Sequence, residues 1–254
     1  MQEQLERRIA VVTGAASGLG LAIAERLAKD GAHVIAVDRD PSIENVAERL
    51  RQSGGSAEAA IVDLSVEDEI FAFAQTVTKR HGRWDILVNN AGISPKIDGK
   101  RVTTETMPMA QWHDVIAVNL TAPLILCRQA LPIMRARGFG RIINISSRAG
   151  RTLVGTAGTH YSATKAGLIG MSRAIAGEGA KDGITVNCIA PGRFSTPMTE
   201  QGSPEMLAAL KAAIPVGRAG RPDELGAMVS YLASDAAGFV TGAVFDINGG
   251  SFMG

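Results

Sequence analysis

The chain has 254 residues and carries 26 Lys and Arg against 25 Asp and Glu, for a net charge of +1. That length suits one large domain with a substantial core, and the balanced charge excludes a basic face for nucleic acid or an anionic membrane. No run is expected to be long enough to span a bilayer, MQEQLERR does not read as a signal peptide, and Cys127 and Cys188, with no CxxC, suit a reducing cytoplasm as small buried hydrophobes.

Short apolar runs alternate with longer helical patterns. IAVVT at Ile9–Thr13 reads as a buried parallel strand, followed by a helix from Leu19 to Lys29. HVIAVD from His33 is a second strand, Pro41 opens a second helix, and AIVDL ends a third strand. Val66 to Arg80 has helical periodicity, and DILVNN is a fourth strand. A long helical region surrounds Trp112 to Met134, then RIINISS is a fifth strand and Thr159 to Ala180 a helix. ITVNCIAPG is a sixth strand, Pro222 to Ala233 a helix, and AVFDING a seventh strand. Such alternation predicts an α/β doubly wound parallel sheet flanked by helices, as one domain over residues 1–254.

TGAASGLG lies between the first strand and the first helix. Gly14, Gly18 and Gly20 permit a tight turn and close backbone approach, and the helix N-terminus offers free N–H groups to a pyrophosphate. Ser17 and Leu19 belong to the same loop. Asp38 ends the second strand, twenty residues after Gly18. A carboxylate there accepts ribose hydroxyls and repels a 2′-phosphate, which favours NAD over NADP. Arg39 is a counter-signal, because Arg can neutralise a 2′-phosphate.

Tyr161 precedes Lys165 by four residues in HYSATKAG, which puts both on one helix face. A phenol titrates near pH 10 in water. An ammonium about 4 Å away, at an effective dielectric of about 20, would lower that by about 3 units. Tyr161 then becomes a candidate for proton exchange with an alcohol or ketone. His33, His81, His113 and His160 show no metal-ligand spacing, and no metal is expected. His160 points away from Tyr161 by the helical rotation per residue, which gives it a structural or surface role.

With TGAASGLG, Asp63-Leu64, NNAG at Asn89–Gly92, Asn119, Ser147, YSATK and Pro191-Gly192 in this order, the chain resembles a short-chain dehydrogenase/reductase of the 250-residue type. The resemblance runs from about Arg8 to the C-terminus and implies a Rossmann-type fold. It implies that Asp63 and Leu64 flank the adenine, and that Asn90, Ala91 and Gly92 support the cofactor. Pro191, Gly192, Phe194 and Thr196 would hold the carboxamide. Tyr161 would be the acid/base, with Lys165 as its neighbour and ribose ligand. Ser147 would bind the substrate oxygen, and Asn119 would anchor a water in a proton relay. Ser147 stands fourteen residues before Tyr161, one more than is usual in the family, so Ser146 remains the alternative.

The resemblance further implies a substrate lid near residues 195–215, running from Thr199 to Ala213 and flanked by Gly202 and Pro204, with Met198, Met206 and Leu207 as partly apolar contacts, and a homotetramer whose partner covers GGSFMG. Arg148, Arg151 and Arg193 stand near the expected mouth, where guanidinium forks would suit an anionic substrate. Asp38, and Asp182 where a carrier-binding enzyme would place a basic residue, favour an NAD-linked alcohol, polyol, sugar or hydroxy-acid dehydrogenase. A 3-oxoacyl-carrier-protein reductase is the alternative, and a non-catalytic nucleotide-binding regulator a remote one.

Overall fold

The computed structural model describes residues 5–196, 199 and 204–254. Seven parallel strands form one sheet: β1 (Ile9–Thr13), β2 (His33–Asp38), β3 (Ser56–Ile61), β4 (Ile86–Asn89), β5 (Gly140–Ile145), β6 (Ile184–Pro191) and β7 (Val244–Ile247). Their order across the sheet is β3-β2-β1-β4-β5-β6-β7. The chain winds outward one way from β1 to β3 and returns to add β4 on the other side of β1. The crevice between β1 and β4, at the strand C-terminal ends, is where such sheets bind ligands.

The central strands are apolar on both faces because helices cover both. Ala10 and Val12 of β1 face one core cluster, which includes Ile23 and Leu27 of α1 (Gly18–Lys29) and Leu225 and Val229 of α8 (Pro222–Ala233). Ile9 and Val11 face the other, which includes Ile70 and Phe73 of α3 (Glu67–His81) and Leu126 and Met134 of α5 (Ala122–Arg137). This division is the period-2 alternation of a strand carried into two layers.

Local side-chain chemistry shifts several element ends. α2 (Ile43–Gln52) starts two residues after Pro41 because the Asp40 carboxylate accepts the Ser42 N–H at 2.9 Å and spends that turn first. β3 stops at Ile61, so Val62, Asp63 and Leu64 leave the sheet rather than end the strand. There Asp63 Oδ1 accepts both the Ser65 N–H and the Ser65 hydroxyl, which turns the chain into α3.

The long helical region is α4 (Met109–Ile116) and α5, joined by a single π-helical turn at Ala117–Thr121. By length and composition alone Met109–Arg137 could cross a membrane, which corrects the expectation that no run could. In the fold its apolar residues Ala122, Ile125, Leu126 and Ala130 sit in the second core cluster under the sheet. α6 (Thr159–Gly179) packs beside it. The sequence pattern missed α7 (Pro204–Ala212), which occupies part of the expected lid.

Candidate active site

A cavity of about 400 Å³ opens at the C-terminal ends of β1, β4 and β5. Its first wall is the glycine loop, lined by Gly14, Ser17, Gly18, Leu19 and Gly20. Gly14 and Gly18 have φ of +66° and +58°, values that favour residues without a Cβ. A Cβ on Gly20 would lie 2.0 Å from the Gly14 carbonyl oxygen and 2.5 Å from Asn90 Nδ2. Only glycine therefore lets the helix N-terminus of α1 close onto the loop. The first N–H groups of α1 have no partner within the helix, and a cradle of this kind beside the cavity fits a pyrophosphate.

Asn90 locks this loop to β4. Its Nδ2 donates to the Thr13 and Gly14 carbonyls at 2.9 and 3.2 Å, and Thr13 Oγ1 accepts the Asn90 and Ala91 N–H groups. The next wall comes from β2 and the turn after β3, with Asp38, Arg39, Asp63 and Leu64. Asp38 is oriented by backbone: Oδ2 accepts the Ala16 N–H and Oδ1 the Asp40 N–H, each at 3.1 Å. Bonds from Ser65 hold Asp63 below the ordinary carboxylate range. The Asp63 N–H donates to Glu69 at 2.8 Å.

Deeper in, the cavity is lined by Gly92, Ser147, Tyr161, Lys165, Pro191, Gly192, Phe194 and Thr196. A Cβ on Gly92 would be 3.2 Å from Lys165 Nζ, and one on Gly192 would be 2.7 Å from the Asn248 Cα, so both allow close approach. Lys165 is 3% exposed and its Nζ donates to the Ile145 carbonyl at 2.8 Å. Burial pulls its pKa down to about 8. Its Nζ lies 5.6 Å from the centre of the Tyr161 ring.

The Lys165 Nζ lies beside the ring and donates to a main-chain carbonyl. Burial pushes Tyr161 above its ordinary value, and the hydrogen bond with Ser147 opposes that rise.

The two serines separate cleanly. Ser147 lies beyond the end of β5, accepts the Ala149 N–H at 3.1 Å, and meets Tyr161 across the cavity. Ser146 also borders the cavity, but it is 3% exposed and its hydroxyl is spent on the Lys165 carbonyl at 2.7 Å. Gly150 explains the small residue three after Ser147: a Cβ there would be 2.6 Å from the Lys165 carbonyl carbon. Asn119 does not line the cavity. It is buried in the π-helical turn, where it accepts the Ile93 N–H at 2.8 Å and donates to the Ile93 carbonyl at 2.9 Å. His160 is buried and its Nδ1 accepts the Tyr161 N–H at 2.7 Å, a structural position beside the site.

The arginine clamp does not form. None of Arg148, Arg151 and Arg193 lines the cavity, and each donates at least one hydrogen bond inside the chain, while the buried Arg151 Nε and Arg193 Nε have no partner among the described residues. Arg148 donates to the Ser251 carbonyl at 3.4 Å. Arg151 pairs with Asp246 at 3.1 Å, donates to the Gly254 oxygen, and lies over the Phe252 ring. Arg193 donates to the Thr199 carbonyl. The sequence marked their proximity to Ser147 and Pro191-Gly192 but not their direction, and the C-terminal segment claims the first two.

Val62, Ile93, Val118 and Ile145 also line the cavity and escaped the sequence reading, and Thr199, at the start of the expected lid, lines it too. Four are apolar residues beside recognised motifs, with nothing in the pattern to distinguish them from core. Thr199 is different, because its hydroxyl binds the Phe194 carbonyl and accepts the Thr196 N–H at 3.0 Å, which closes the loop after β6. Met198 and Gly202, expected in the lid, lie outside the described residues, as do the side chains of Pro204 and Met206.

A family model described as enoyl-(acyl carrier protein) reductase matches residues 14–251. The chain belongs to the short-chain dehydrogenase/reductase family. As a member of that family it is an oxidoreductase of ketone and alcohol groups with a nucleotide cofactor. Nodulation protein G of Azospirillum brasilense is 45% identical over 97% of this chain and 98% of that protein. Cis-4-hydroxycyclohexanecarboxylate dehydrogenase of Sinomonas cyclohexanicum is 39% identical over 98% of both. A crystal structure of a 3-oxoacyl-[acyl-carrier protein] reductase from Brucella melitensis, with bound NAD, superposes with a TM-score of 0.91. It is 34% identical and covers 99% of this chain and 94% of that one.

Proposed function

We propose that the protein is an NAD(H)-dependent oxidoreductase that interconverts a secondary alcohol and its ketone, with Tyr161 as the acid/base. The observation that carries this reading is the single cavity that runs from the glycine cradle and Asp38 to Ser147 and Tyr161. When bound, the nicotinamide supplies the hydride acceptor or donor. The chain supplies the rest. Ser147 and Tyr161 hydroxyls converge on the position of the substrate oxygen, one to polarise it and one to give or take its proton. Lys165 and Asn119 hold the inner wall, Lys165 through the Ile145 carbonyl and Asn119 through both polar groups of Ile93.

NAD preference is supported by Asp38. Its carboxylate faces the cavity with both oxygens oriented by main-chain N–H groups, ready for ribose hydroxyls and repulsive to a 2′-phosphate. Arg39 in the same wall opposes this by one positive charge. The substrate class is a polyol, sugar or hydroxy acid, and the 39% identical relative, a dehydrogenase of a hydroxycyclohexanecarboxylate by its name, supports the hydroxy-acid member of that set. A second reading, reduction of a 3-oxoacyl thioester, is favoured by the reductase that matches 99% of this chain.

A homotetramer is proposed alongside. Leu124, Phe239 and Met253 are 49%, 103% and 80% exposed in the single chain, and large apolar side chains of this kind suit a protein–protein contact. The free buried thiols of Cys127 and Cys188 suit the proposed cytoplasmic location. The test is NADH formation across secondary alcohols, polyols, sugars and hydroxy acids, run beside NADPH oxidation with a 3-oxoacyl thioester. Turnover of an alcohol with NAD at a kcat/KM above that of the thioester supports the first reading. Turnover of the thioester alone replaces it with the second.

A further inference from the structure

The opposite end of the sheet carries a second cluster. β2 and β3 begin in register, with His33 opposite Ser56 and Ile35 opposite Glu58. Glu58 therefore stands two residues along from Ser56, on the same face of the edge strand. His81 is the last residue of α3, where Gly82 ends the helix with φ of +64°. The turn brings the His81 ring over this strand end, 5.3 Å from the His33 ring centre. Forty-eight residues separate the two histidines, so the sequence spacing carried no sign of the meeting.

We propose that His33, Glu58 and His81 form a binding site for a divalent cation of the zinc type. One potential ligand atom from each lies within 4.8 Å of the other two. Two imidazoles and one carboxylate are a zinc donor set, with a fourth position left for water, whereas calcium and magnesium favour all-oxygen shells. His33 supplies a second observation. Its Nδ1 is engaged by Ser56 Oγ at 2.7 Å, while Nε2 is shut off from solvent with no hydrogen-bond partner. The tautomer that donates Nδ1–H to Ser56 leaves Nε2 as a bare lone pair and fixes the ring plane, as partners of metal-bound histidines do.

His81 Nε2 already meets Glu58 Oε1 at 2.7 Å, and Arg80 takes Glu58 Oε2 at 2.8 Å. Tetrahedral coordination sets ligand atoms about 3.3 Å apart, so the His81–Glu58 contact would open slightly while the gaps to His33, at most 4.8 Å, would close. Arg80 places a positive charge next to the cation, so the affinity expected is in the micromolar range rather than tighter. The bound ion would tie the edge strand β3 to β2 and α3. It stands apart from the nucleotide cavity and does not depend on the reading of that cavity.

The test is calorimetric titration of the full chain with zinc chloride, with magnesium chloride as the comparison. One zinc per chain is expected, no binding of magnesium, and a loss of affinity of about tenfold or more in His33→Asn and in His81→Asn. His113→Gln should bind as the wild type does. Wild-type protein that takes up no zinc overturns the site, as does a folded His33→Asn variant with unchanged affinity. If the histidine variants fail to fold, anomalous scattering at the zinc edge from soaked wild-type crystals decides. A peak between the three side chains supports the site, and a peak only elsewhere refutes it.

Discussion

The two walls of the cavity are built in different ways. The nucleotide wall is made of backbone: Gly14, Gly18 and Gly20 let main chain approach main chain, and Asn90 and Thr13 fasten the loop to β4. The substrate wall is made of side chains, with Ser147 beyond β5 and Tyr161 on α6, beside the loop after β6 that Thr199 closes. Under the proposed function, the first wall would recognise what is common to dinucleotides and tolerate little change, and the second would recognise the alcohol or ketone. The contrast teaches that reaction class and substrate are recorded in different parts of the molecule, one in glycine spacing and one in side-chain directions.

The sharpest way to break the comparison is to put a side chain into the backbone wall. Gly20→Ala sets a methyl against the Gly14 carbonyl, and we expect nucleotide affinity to fall by about 100-fold or more, with a loss of about 3 kcal/mol in stability. Cofactor titration and thermal unfolding read the two effects, and near-normal values in both would show that the loop yields.

At the junction of the walls, buried Lys165 makes stability depend on pH. Its pKa falls from 10.5 to about 8 on folding, so between those values the unfolded chain holds a proton that the folded chain has lost. Stability contributed by this residue therefore rises with pH through that window, by about 3 kcal/mol in total. Urea unfolding of the wild type against Lys165→Met, at pH 7.5 and pH 10.5, should show this gain in the wild type alone. A flat difference would place the ammonium in water.

Asp38→Ala probes the ribose end of the backbone wall. The ratio of kcat/KM for NAD over NADP should drop about tenfold, a change of about 1.4 kcal/mol. An unchanged ratio would remove Asp38 from the cofactor assignment. The smallest effect is expected across the cavity. Arg151→Ala should alter substrate KM by less than about twofold while loosening the C-terminal segment it holds through Asp246 and Gly254. A tenfold rise in KM would return this arginine to substrate binding.

Much of the fold was legible because β1, β4 and β6 are apolar runs too short for helices and α8 begins at Pro222, so period and punctuation agreed. Element ends were less legible where an aspartate redirected the chain, at Asp40 and Asp63. In the site, residue types fixed by backbone geometry were readable, as at Gly20, and the order Ser147, Tyr161, Lys165 pointed to one place. Directions were not. Nothing in the string RAGR says that Arg148 and Arg151 turn to the C-terminus, or that Lys165 turns to Ile145 rather than to the phenol. Those choices are made by residues about a hundred positions away or by a neighbouring strand. For the same reason, spacing hid the meeting of His33 and His81.

The central claim is that Tyr161 exchanges the proton in a cavity whose cofactor wall stands without it. Tyr161→Phe, assayed for NADH formation with the alcohol selected by the substrate screen and titrated with NAD in parallel, tests this most directly. The account predicts a fall in kcat of about 10³-fold with NAD affinity within about threefold of the wild type. Turnover within tenfold of the wild type by the folded variant would contradict it.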